Sequence, residues 1–292
     1  MPQKKFDLSL VIVNYNAQYW LKKLLDSLKK NYLKQTKKSV QIIVVDNAST
    51  DESVKLVKKH FPWVELIVLE KNIGFSAGNN VALRSLNCRF AMLINSDIEF
   101  LPQSNLDDLY QFMEKNPQVG IATPKLTLTS GKIDPACHRG EPTPWASLTY
   151  FLKLEKLFPN SKRFAQYHQL YKNLNTIHEI DACSGAGMML RWSAVKKIGL
   201  LDERFFMYGE DLDWCKRFRD SGFKIIFYPK ITLIHHKYKS GIKSSSDRTS
   251  TTIKIQFYNA MLKYFDKHYA ASSPRIYRWI LRLFLFVKKG GL

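Results

Sequence analysis

Residues 41–50 read QIIVVDNAST, in which an apolar run passes directly into polar, turn-forming residues. The β-branched run favours a buried strand, and Asp46 stands at the point where that strand ends. The same change from apolar to polar occurs in LSLVIVNYN (8–16) and after FAMLI (90–94), where the chain continues as Asn95-Ser96-Asp97. VELIVLE (64–70) is a further predicted strand. These stretches predict four strands, three of them followed by polar residues.

Helical patterns separate these strands. Apolar residues recur at helical spacing over 20–28, and helices are predicted over 53–61 and 72–86. Strands that alternate with helices predict an α/β fold with a mostly parallel sheet and helices on both faces. Because ligands bind at the carboxyl ends of such strands, we expect Asn14–Asn16, Asp46–Asn47 and Asn95–Asp97 to lie along one edge and form a site.

Charge and composition limit the class of protein. The 292 residues carry a net charge of +20, and residues 237–292 hold twelve Lys or Arg but only two Asp, a local balance of +10. This excess indicates nucleic acid, acidic lipid or phosphorylated substrates as partners. No stretch reaches the about 18–20 apolar residues that span a bilayer. The N-terminus lacks a signal-peptide cleavage pattern, and the four cysteines form no CxxC pair, so a reduced, cytoplasmic protein is expected.

Several polar residues have two interpretations each. Asp46 can stabilise a turn, or its carboxylate can accept hydrogen bonds from a nucleobase or ribose. NIGFSAGNN (72–80) can form a turn and helix cap, or its glycines can let the backbone approach a ligand closely. No P-loop is present and no GxGxxG follows the first strand, which argues against an ATPase and a dinucleotide-dependent dehydrogenase.

Five acidic residues cluster within 202–213, in a strongly basic chain. Acids at a helix start favour its dipole, but clustered carboxylates also raise one another's pKa toward values useful to a general base. His235 and His236 follow the last predicted strand and are either structural or one of them is a metal ligand. The sequence does not choose between the two.

The chain resembles a known enzyme family in six motifs. VIVNYN, VVDNASTD, NIGFSAGNN, LINSD, SGAGMMLRWSAVKKIGLLDERFFMYGEDLDWCKR and the late IHH are similar, in this order, to family-two glycosyltransferases of the GT-A fold. Within that family the likeness is to bacterial rhamnosyltransferase-like members that build cell-surface polysaccharides. It covers residues 8–240 and implies an inverting transfer from a nucleotide-diphosphate sugar.

The resemblance also implies site residues. Asp211 matches the general base, with Glu210 and Asp213 supporting the base or the acceptor. Asp97 matches the last acid of a DxD-type motif, and Asn95 stands in place of the first acid. Together with His235, or His236 as the fallback, Asp97 would bind a divalent cation, Mg²⁺ or Mn²⁺. The implied donor-nucleotide site consists of Asn14, Asn16, Asp46, Asn47, Gly74, Asn79, Asn95 and Asp97. Glu99 has no match and is interpreted as a loop residue.

The resemblance further suggests substrates and organisation. The donor is dTDP-rhamnose as a first expectation and a UDP-sugar otherwise, and the acceptor is a growing cell-surface glycan or a lipid-linked acceptor. The QxxRW motif of processive synthases is absent, so one or a few sugars would be added. Residues 1–125 would form the nucleotide-sugar-binding half, 126–240 the acceptor-binding and catalytic half, and 241–292 a helical, membrane-associating extension.

The C-terminal stretch PRIYRWILRLFLFVKKGG (274–291) lies outside this match. On a helical wheel Arg275, Arg278, Arg282 and Lys289 form one narrow stripe among apolar residues. This pattern suits a helix in the membrane interface, which would place the protein at the inner face of the cell membrane. The alternative is a helix packed on the core or on another subunit.

Two other functions compete with glycosyl transfer. A sugar-phosphate nucleotidyltransferase would usually carry a Gly-rich loop after the first strand, where this chain has NYNAQYW. A non-catalytic polyanion-binding protein would surround its centre with basic and aromatic residues. Here the predicted centre is acidic and the basic excess is terminal, so nucleic acid is not expected as a partner.

Overall fold

The structure is a computed structural model that describes residues 5–237 and 247–289. Within these ranges nine strands form one sheet. They are β1 (Phe6–Asn14), β2 (Val40–Asp46), β3 (Glu65–Val68), β4 (Cys88–Ile94), β5 (Ile98–Phe100), β6 (Val119–Leu128), β7 (His178–Ile180), β8 (Gly187–Arg191) and β9 (Lys224–His235). The strand order is β3-β2-β1-β4-β8-β6-β9-β5, and β7 also pairs with β9.

Ten α-helices are present in the described ranges. They are α1 (Gln18–Leu28), α2 (Ser53–His60), α3 (Phe75–Leu83), α4 (Leu106–Lys115), α5 (Pro144–Phe151), α6 (Leu154–Leu157), α7 (Trp192–Ile198), α8 (Glu210–Asp220), α9 (Asp247–His268) and α10 (Arg275–Lys289). Each strand and helix predicted in the first hundred residues is found, with shifted ends: the first strand ends at Asn14 and the third helix begins at Phe75.

The central strands are covered on both faces. Residues 8–12 of β1 are all completely buried, although neighbouring side chains of a strand point to opposite faces. A continuous apolar run is typical of a strand covered by helices on both sides. The predicted α/β fold with a mostly parallel sheet is therefore confirmed.

Six strands end at the same edge of this sheet. β1 is parallel to both β2 and β4, and β3 is parallel to β2, while β8 is antiparallel to β4 and to β6. β6 therefore runs in the direction of β4, and β9 is parallel to β6. The residues that end β1, β2, β4 and β9, or directly follow them, are Asn14, Asp46, Asn95 and His235. The predicted convergence is confirmed, and β9 adds the histidine to it.

The two C-terminal helices pack on the sheet domain. In α9, Ala260 and Tyr264 form a buried cluster with Phe205. In α10, Leu285 is completely buried, and the Phe284 ring lies 5.2 Å from that of Phe151 in α5. Both helices lie within the predicted extension over 241–292, whose division from the rest of the chain stays a prediction, while residues 238–246 and 290–292 lie outside the described ranges. No helix in those ranges combines the length and the apolar character needed to cross a bilayer.

Candidate active site

Asn14 and Asp46 form a buried pair at the ends of β1 and β2. The two residues are in register, and the Asn14 side-chain amide donates to Asp46 Oδ2 at 3.0 Å. Asp46 Oδ1 accepts the Ser49 backbone N–H at 2.8 Å, so the predicted turn role is real. Asn14 Oδ1 is buried and finds no hydrogen-bond partner among the described residues. A polar ligand at this edge would satisfy that oxygen.

The backbone beside this pair adopts uncommon conformations. Asn16 has a φ of +49° and Ala48 a φ of +65°, both in the left-handed region. Asn16 Oδ1 accepts the Thr50 backbone N–H at 2.7 Å, which ties the loop after β1 to the loop after β2. Non-glycine residues in this region cost free energy and concentrate at functional sites. The two loops are held in one defined arrangement at the sheet edge.

Three further residues that were predicted to bind the donor nucleotide hold the loop before α3 in place. Asn47 Oδ1 accepts the Ile73 N–H at 2.9 Å, and Asn79 donates to the Phe75 carbonyl at 2.8 Å. Gly74 has a φ of +88°, and a Cβ there would lie 2.5 Å from the Phe206 carbonyl oxygen. The absence of a side chain at Gly74 therefore lets its backbone lie close to the backbone of Phe206. Contact of these three residues with a donor stays a prediction.

His235 lies between two carboxylates. Its Nδ1 is 2.7 Å from Asp134 Oδ2 and its Nε2 is 3.3 Å from Asp97 Oδ1. Burial opposes protonation, but the hydrogen bond to Asp134 and the negative charges of Asp97 and Asp134 outweigh it and raise the pKa of His235 to about 9. Burial likewise opposes ionisation of Asp134, yet His235 and Lys237 hold its pKa well below the usual value. The group is a buried carboxylate–imidazole–carboxylate chain.

The neighbouring His236 points elsewhere. Its Nε2 lies 2.8 Å from Glu99 Oε2, and its ring lies 4.5 Å from that of Trp20 in α1. Successive residues of an extended chain face opposite sides, which separates the two histidines. The structure therefore brings the side chain of His235 to the Asp97 carboxylate, whereas His236 contacts Asp97 through its backbone N–H, which donates to the Asp97 carbonyl at 2.9 Å. The interpretation of Glu99 as a loop residue is wrong, because Glu99 lies in β5, which pairs with β9.

The donor set around Asp97 fits a divalent cation that shares its coordination with a ligand. Asp97 is 1% exposed, and its Oδ1 has no hydrogen bond of good geometry within the described residues. The carboxylate and the imidazole are donors that Mg²⁺ or Mn²⁺ accepts. Across the described ranges, no three His, Cys, Asp or Glu side chains are grouped to hold a metal ion. Such cations commonly take one or two protein ligands and complete their shell with phosphate oxygens and water.

Asp211 is positioned by Arg139. The Arg139 guanidinium lies 2.5 Å from Asp211 Oδ2, and both side chains are almost buried. Burial opposes the charge on Arg139, but the Asp211 carboxylate outweighs it and raises the pKa of the guanidinium. Asp211 Oδ1 faces the Leu212 N–H at 2.8 Å in the first turn of α8. The carboxylate is thus fixed at the start of a helix, where the dipole favours its charge.

Glu210 supplies a second carboxyl group beside Asp211. Burial and the neighbouring Asp211 charge raise the pKa of Glu210. Its Oε2 is buried without a hydrogen-bond partner among the residues described. Glu210 and Asp211 both line one cavity, enclosed by α5, α9 and α10. The two acids therefore line the same cavity, and the role of Glu210 in supporting the base or the acceptor stays a prediction.

Asp213 lies on the other side of α8. Its Oδ1 accepts from His268 Nε2 at 2.7 Å and its Oδ2 from Arg217 Nε at 2.9 Å. Two residues correspond to about 200° around a helix, so Asp211 and Asp213 face opposite ways. The structure places Asp213 in contact with α9 and away from the cavity that Asp211 lines. Its predicted supporting role at the site stays a prediction.

The loop before α3 and the acidic segment 202–213 are joined by direct hydrogen bonds. The Phe75 N–H donates to the Phe206 carbonyl at 2.7 Å, and the Asn80 side chain donates to Glu203 at 2.9 Å. Tyr208 and Gly209, which immediately precede α8, both have positive φ. These hydrogen bonds fix the position of the segment that carries Asp211 relative to the loop before α3.

Sequence reasoning missed two of these residues. Asp134 and Arg139 both come from the Gly/Pro-rich stretch GKIDPACHRG (131–140), which shows no helical or strand periodicity. The sequence offered only a chemical signal. The predicted site contains histidines and carboxylates that need partners of opposite charge, and this loop contains an acid and an arginine. The isolated bridge between Arg139 and Ala182 fixes the arginine beneath Asp211.

Comparisons with known proteins agree with this geometry. Residues 9–198 match the model of the glycosyl transferase family 2. The chain is 25% identical over 295 residues to the low-salt glycan biosynthesis hexosyltransferase Agl10 of Haloferax volcanii, covering 97% of this chain and 86% of that protein. It is 25% identical over 245 residues to the N-acetylglucosaminyl-diphospho-decaprenol L-rhamnosyltransferase of Mycobacterium tuberculosis, covering 80% and 77%.

A solved structure shows the same fold. The mannosyltransferase PcManGT from Pyrobaculum calidifontis, in complex with GDP-Man and Mn²⁺, superposes with a TM-score of 0.58 at 14% identity, over 98% of this chain and 70% of that one. The sheet edge that carries Asp46 and Asp97 thus belongs to a GT-A fold. The family match covers well over half of the chain, and we conclude that the chain belongs to glycosyl transferase family 2.

Proposed function

We propose that this glycosyltransferase moves a sugar from a nucleotide-diphosphate sugar to an acceptor hydroxyl with inversion at the anomeric carbon. The observation that carries the proposal is the placement of Asp46 and Asp97 at one sheet edge, joined through the α3 loop to the segment that presents Asp211. Residues 1–125 then supply most donor contacts, and residues 126–240 supply Arg139 and Asp211.

The residues suit a single displacement. The acceptor oxygen forms a bond to the anomeric carbon as the bond to the diphosphate oxygen breaks, and the leaving diphosphate takes the electron pair. Asp211 accepts the hydroxyl proton, and Arg139 holds its carboxylate in place. Attack opposite the leaving group inverts the configuration. Glu210 is the neighbouring acid that faces the same cavity.

Asp97 and His235 are the residues that would hold a divalent cation. A cation bound there would offset the negative charge that develops on the leaving diphosphate. Its binding requires the neutral imidazole, so it would release the proton that His235 otherwise carries between its two carboxylates. Asp134 would then fix the orientation of the ring from the other side, as a carboxylate commonly does behind a metal-bound histidine.

The proposed donor is dTDP-rhamnose, with a UDP-sugar as the alternative. The relative in M. tuberculosis is named as a rhamnosyltransferase and that in H. volcanii as a hexosyltransferase. The proposed acceptor is a growing cell-surface glycan or a lipid-linked acceptor. The name of the M. tuberculosis relative describes a sugar linked to decaprenol through a diphosphate for that protein.

We propose that the protein works at the inner face of the cell membrane, which it contacts through α10. Trp279 is 62% exposed, and Leu283 and Phe286 are about half exposed, so α10 presents an apolar outer face. Arg275 and Arg278 lie beside this face and can meet anionic headgroups. Deletion of residues 274–292 should release the protein from membrane fractions; unchanged membrane recovery would contradict the proposal. The Lys289 side chain, predicted to extend the basic stripe, lies outside the described residues.

A donor panel tests the proposed activity. Purified protein is incubated with dTDP-rhamnose, UDP-sugars and GDP-mannose, with and without Mn²⁺ or Mg²⁺, and nucleoside diphosphate release is measured. We expect one donor to be hydrolysed slowly without acceptor, and faster with metal. Formation of a nucleotide sugar from a sugar phosphate and a nucleoside triphosphate, with release of pyrophosphate, would instead identify a nucleotidyltransferase. Absence of any binding or turnover would contradict both activities.

A further inference from the structure

The cavity beside Asp211 has two chemically different ends. Arg139, Glu210 and Asp211 supply charged groups at one end. The remaining walls are largely apolar or aromatic, and most of their residues come from three helices. The wall residues on which the inference depends are Tyr150 and Phe151 of α5, Phe257 and Met261 of α9, and Leu281 and Leu285 of α10.

A wall of this kind fits a hydrocarbon chain. Leucine and methionine side chains offer no hydrogen bonds to sugar hydroxyls, which must then lose those they make with water. Transfer of methylene groups from water into an apolar cavity is favourable in proportion to the area buried. The charged end next to these walls would receive a polar head that carries a hydroxyl. The cavity is therefore complementary to an amphiphile.

Two of the three wall helices also have exposed apolar outer faces. In α10, Leu281 and Leu285 line the cavity while Leu283 is 47% exposed. In α5, Phe151 lines the cavity while Leu148 is 45% and Leu152 is 58% exposed. The two helices meet where the rings of Phe151 and Phe284 lie 5.2 Å apart. The cavity wall and the apolar surface are thus opposite faces of the same two helices.

The two outer faces carry basic residues. Arg278 and Arg282 lie on α10 beside Trp279, and Arg163 lies 5.4 Å from the ring of Trp145 at the start of α5. Exposed apolar side chains flanked by cations are typical of surfaces that lie against anionic lipid. A chain that leaves such a surface needs to pass only one helix layer to reach Asp211.

We propose that the cavity between α5, α9 and α10 binds the hydrocarbon chain of a lipid-linked acceptor, so that the acceptor's hydroxylated head lies at Asp211. This inference rests on the proposed function, because it assigns the acceptor of the same reaction. It selects the lipid-linked class over a free, water-soluble glycan. It also adds the α5 face, with Leu148 and Leu152, to the surface that contacts the membrane.

Calorimetry with two matched probes tests the proposal. Decyl and methyl β-glucoside share one sugar and differ only in the chain, and both are used below the critical micelle concentration of the decyl compound. We expect the decyl compound to bind at least thirty-fold more tightly to the wild-type protein. Leu281→Gln should remove most of that preference because it places an amide on the cavity wall. Met261→Gln tests the same wall from α9, should the first variant fail to fold.

Two leucines provide the controls. Leu170→Gln makes the same substitution at an exposed residue away from the cavity and should keep the full chain preference. Leu283→Gln changes the outer face of α10. Equal binding of both probes to the wild-type protein would overturn the proposal, as would a preference lost in Leu283→Gln but kept in Leu281→Gln and Met261→Gln.

Hydrolysis of the donor separates the two levels of inference. If the wild-type protein turns over no nucleotide sugar, the proposed function fails whatever the calorimetry shows. If hydrolysis proceeds equally in the wild-type protein and Leu281→Gln while the chain preference is absent from both, the proposed function stands and the acceptor assignment is wrong. With the assignment correct, the wild-type protein hydrolyses the donor, and Leu281→Gln loses at least tenfold in affinity for the decyl compound.

Discussion

Asp134 is the residue on which the geometry around Asp97 depends most. It is completely buried, and it accepts hydrogen bonds from His235 on one oxygen and from Lys237 on the other, each at 2.7 Å. Because the His235 ring is held from behind by Asp134, its Nε2 points toward Asp97. A carboxylate in this position sets both the orientation and the basicity of a metal-binding imidazole.

We predict that Asp134→Asn lowers the affinity of the protein for the divalent cation. The Asn side chain keeps the shape of Asp134 but removes the charge that supports His235. The Mn²⁺ concentration for half-maximal activity should rise about 10–100-fold, which is the usual effect of removing such an outer partner. A Mn²⁺ titration of donor hydrolysis measures this change.

Asp26→Asn is the matched control for this substitution. Asp26 is an exposed aspartate whose ion pair with Lys22 lies at the surface, so its loss should leave the Mn²⁺ titration unchanged. A titration curve for Asp134→Asn that overlays the wild-type curve would show that Asp134 has no part in cation use.

At the residue scale, the sequence predicted the polar residues at the ends of strands but few of the site residues in loops. Asp46 directly follows an apolar run and Asp97 comes three residues after one, and a strand end has a defined place in a parallel sheet. Asp134 comes from a loop without periodicity, and its position depends on contacts made over a hundred residues away in sequence. The choice between His235 and His236 required the register of β9 against β5.

The helix α8 serves two purposes on its two faces. Asp211 faces the cavity, while Asp213 binds Lys267 and His268 of α9. Burial opposes ionisation of Asp213, but hydrogen bonds from His268 and Lys267 outweigh it and lower its pKa. Asp213 therefore stabilises the docking of α9, and with it one wall of the cavity.

We predict that Asp213→Asn destabilises the fold by about 3–5 kcal/mol, because Arg217 and the cations of α9 lose a buried counter-charge. The lowered pKa means that the wild-type advantage is fully present above the ordinary aspartate pKa of about 4 and is lost as the pH falls through the lower folded value. Urea unfolding at pH 7 and at pH 3 measures both effects. A difference of the same size at the two pH values would contradict this account.

The helix α10 allows a test of membrane contact. We predict that replacing Arg275, Arg278 and Arg282 together with Gln weakens binding to anionic vesicles about a hundredfold. Each basic residue near such a surface contributes about 1 kcal/mol. Sedimentation with phosphatidylserine-containing vesicles measures the change, and binding of the wild-type protein should weaken as salt is added.

A triple Gln variant of Lys55, Lys58 and Lys59 removes the same charge from α2. These lysines are exposed on a helix without an apolar outer face, so vesicle binding should stay within about threefold of the wild-type value. Equal losses in both triple variants would mean that only net charge matters and that α10 has no special role.

At the element scale, periodicity predicted α1, α2 and α3 well because each has a clear apolar face on a sheet. It predicted less between residues 125 and 180, where β7 has three residues and α6 has four. Elements this short are stabilised by their neighbours and not by a pattern of their own. In α10, Leu285 is buried while Trp279 remains exposed, so the predicted packing on the core is present and contact with a membrane stays a prediction.

The whole molecule combines a strongly basic chain with an acidic centre. A net charge of +20 would attract phosphorylated donors and anionic lipid, whereas Asp46, Asp97, Asp134 and Asp211 lie where we propose that a cation, hydroxyl groups and a proton are bound. The contact between Gly74 and Phe206 joins the proposed donor edge to the segment that lines the proposed acceptor cavity. Only the complete sheet brings β9 and its histidine to that edge.

The most direct test is Asp211→Asn, assayed for transfer and for donor binding. We predict that transfer falls about 10²–10⁴-fold, the usual contribution of a general base, while the donor dissociation constant changes less than threefold. Asp220→Asn, at the exposed far end of the same helix, should match the wild-type protein in both assays. Wild-type transfer by Asp211→Asn, together with its loss in Glu210→Gln, would contradict the account and make Glu210 the base.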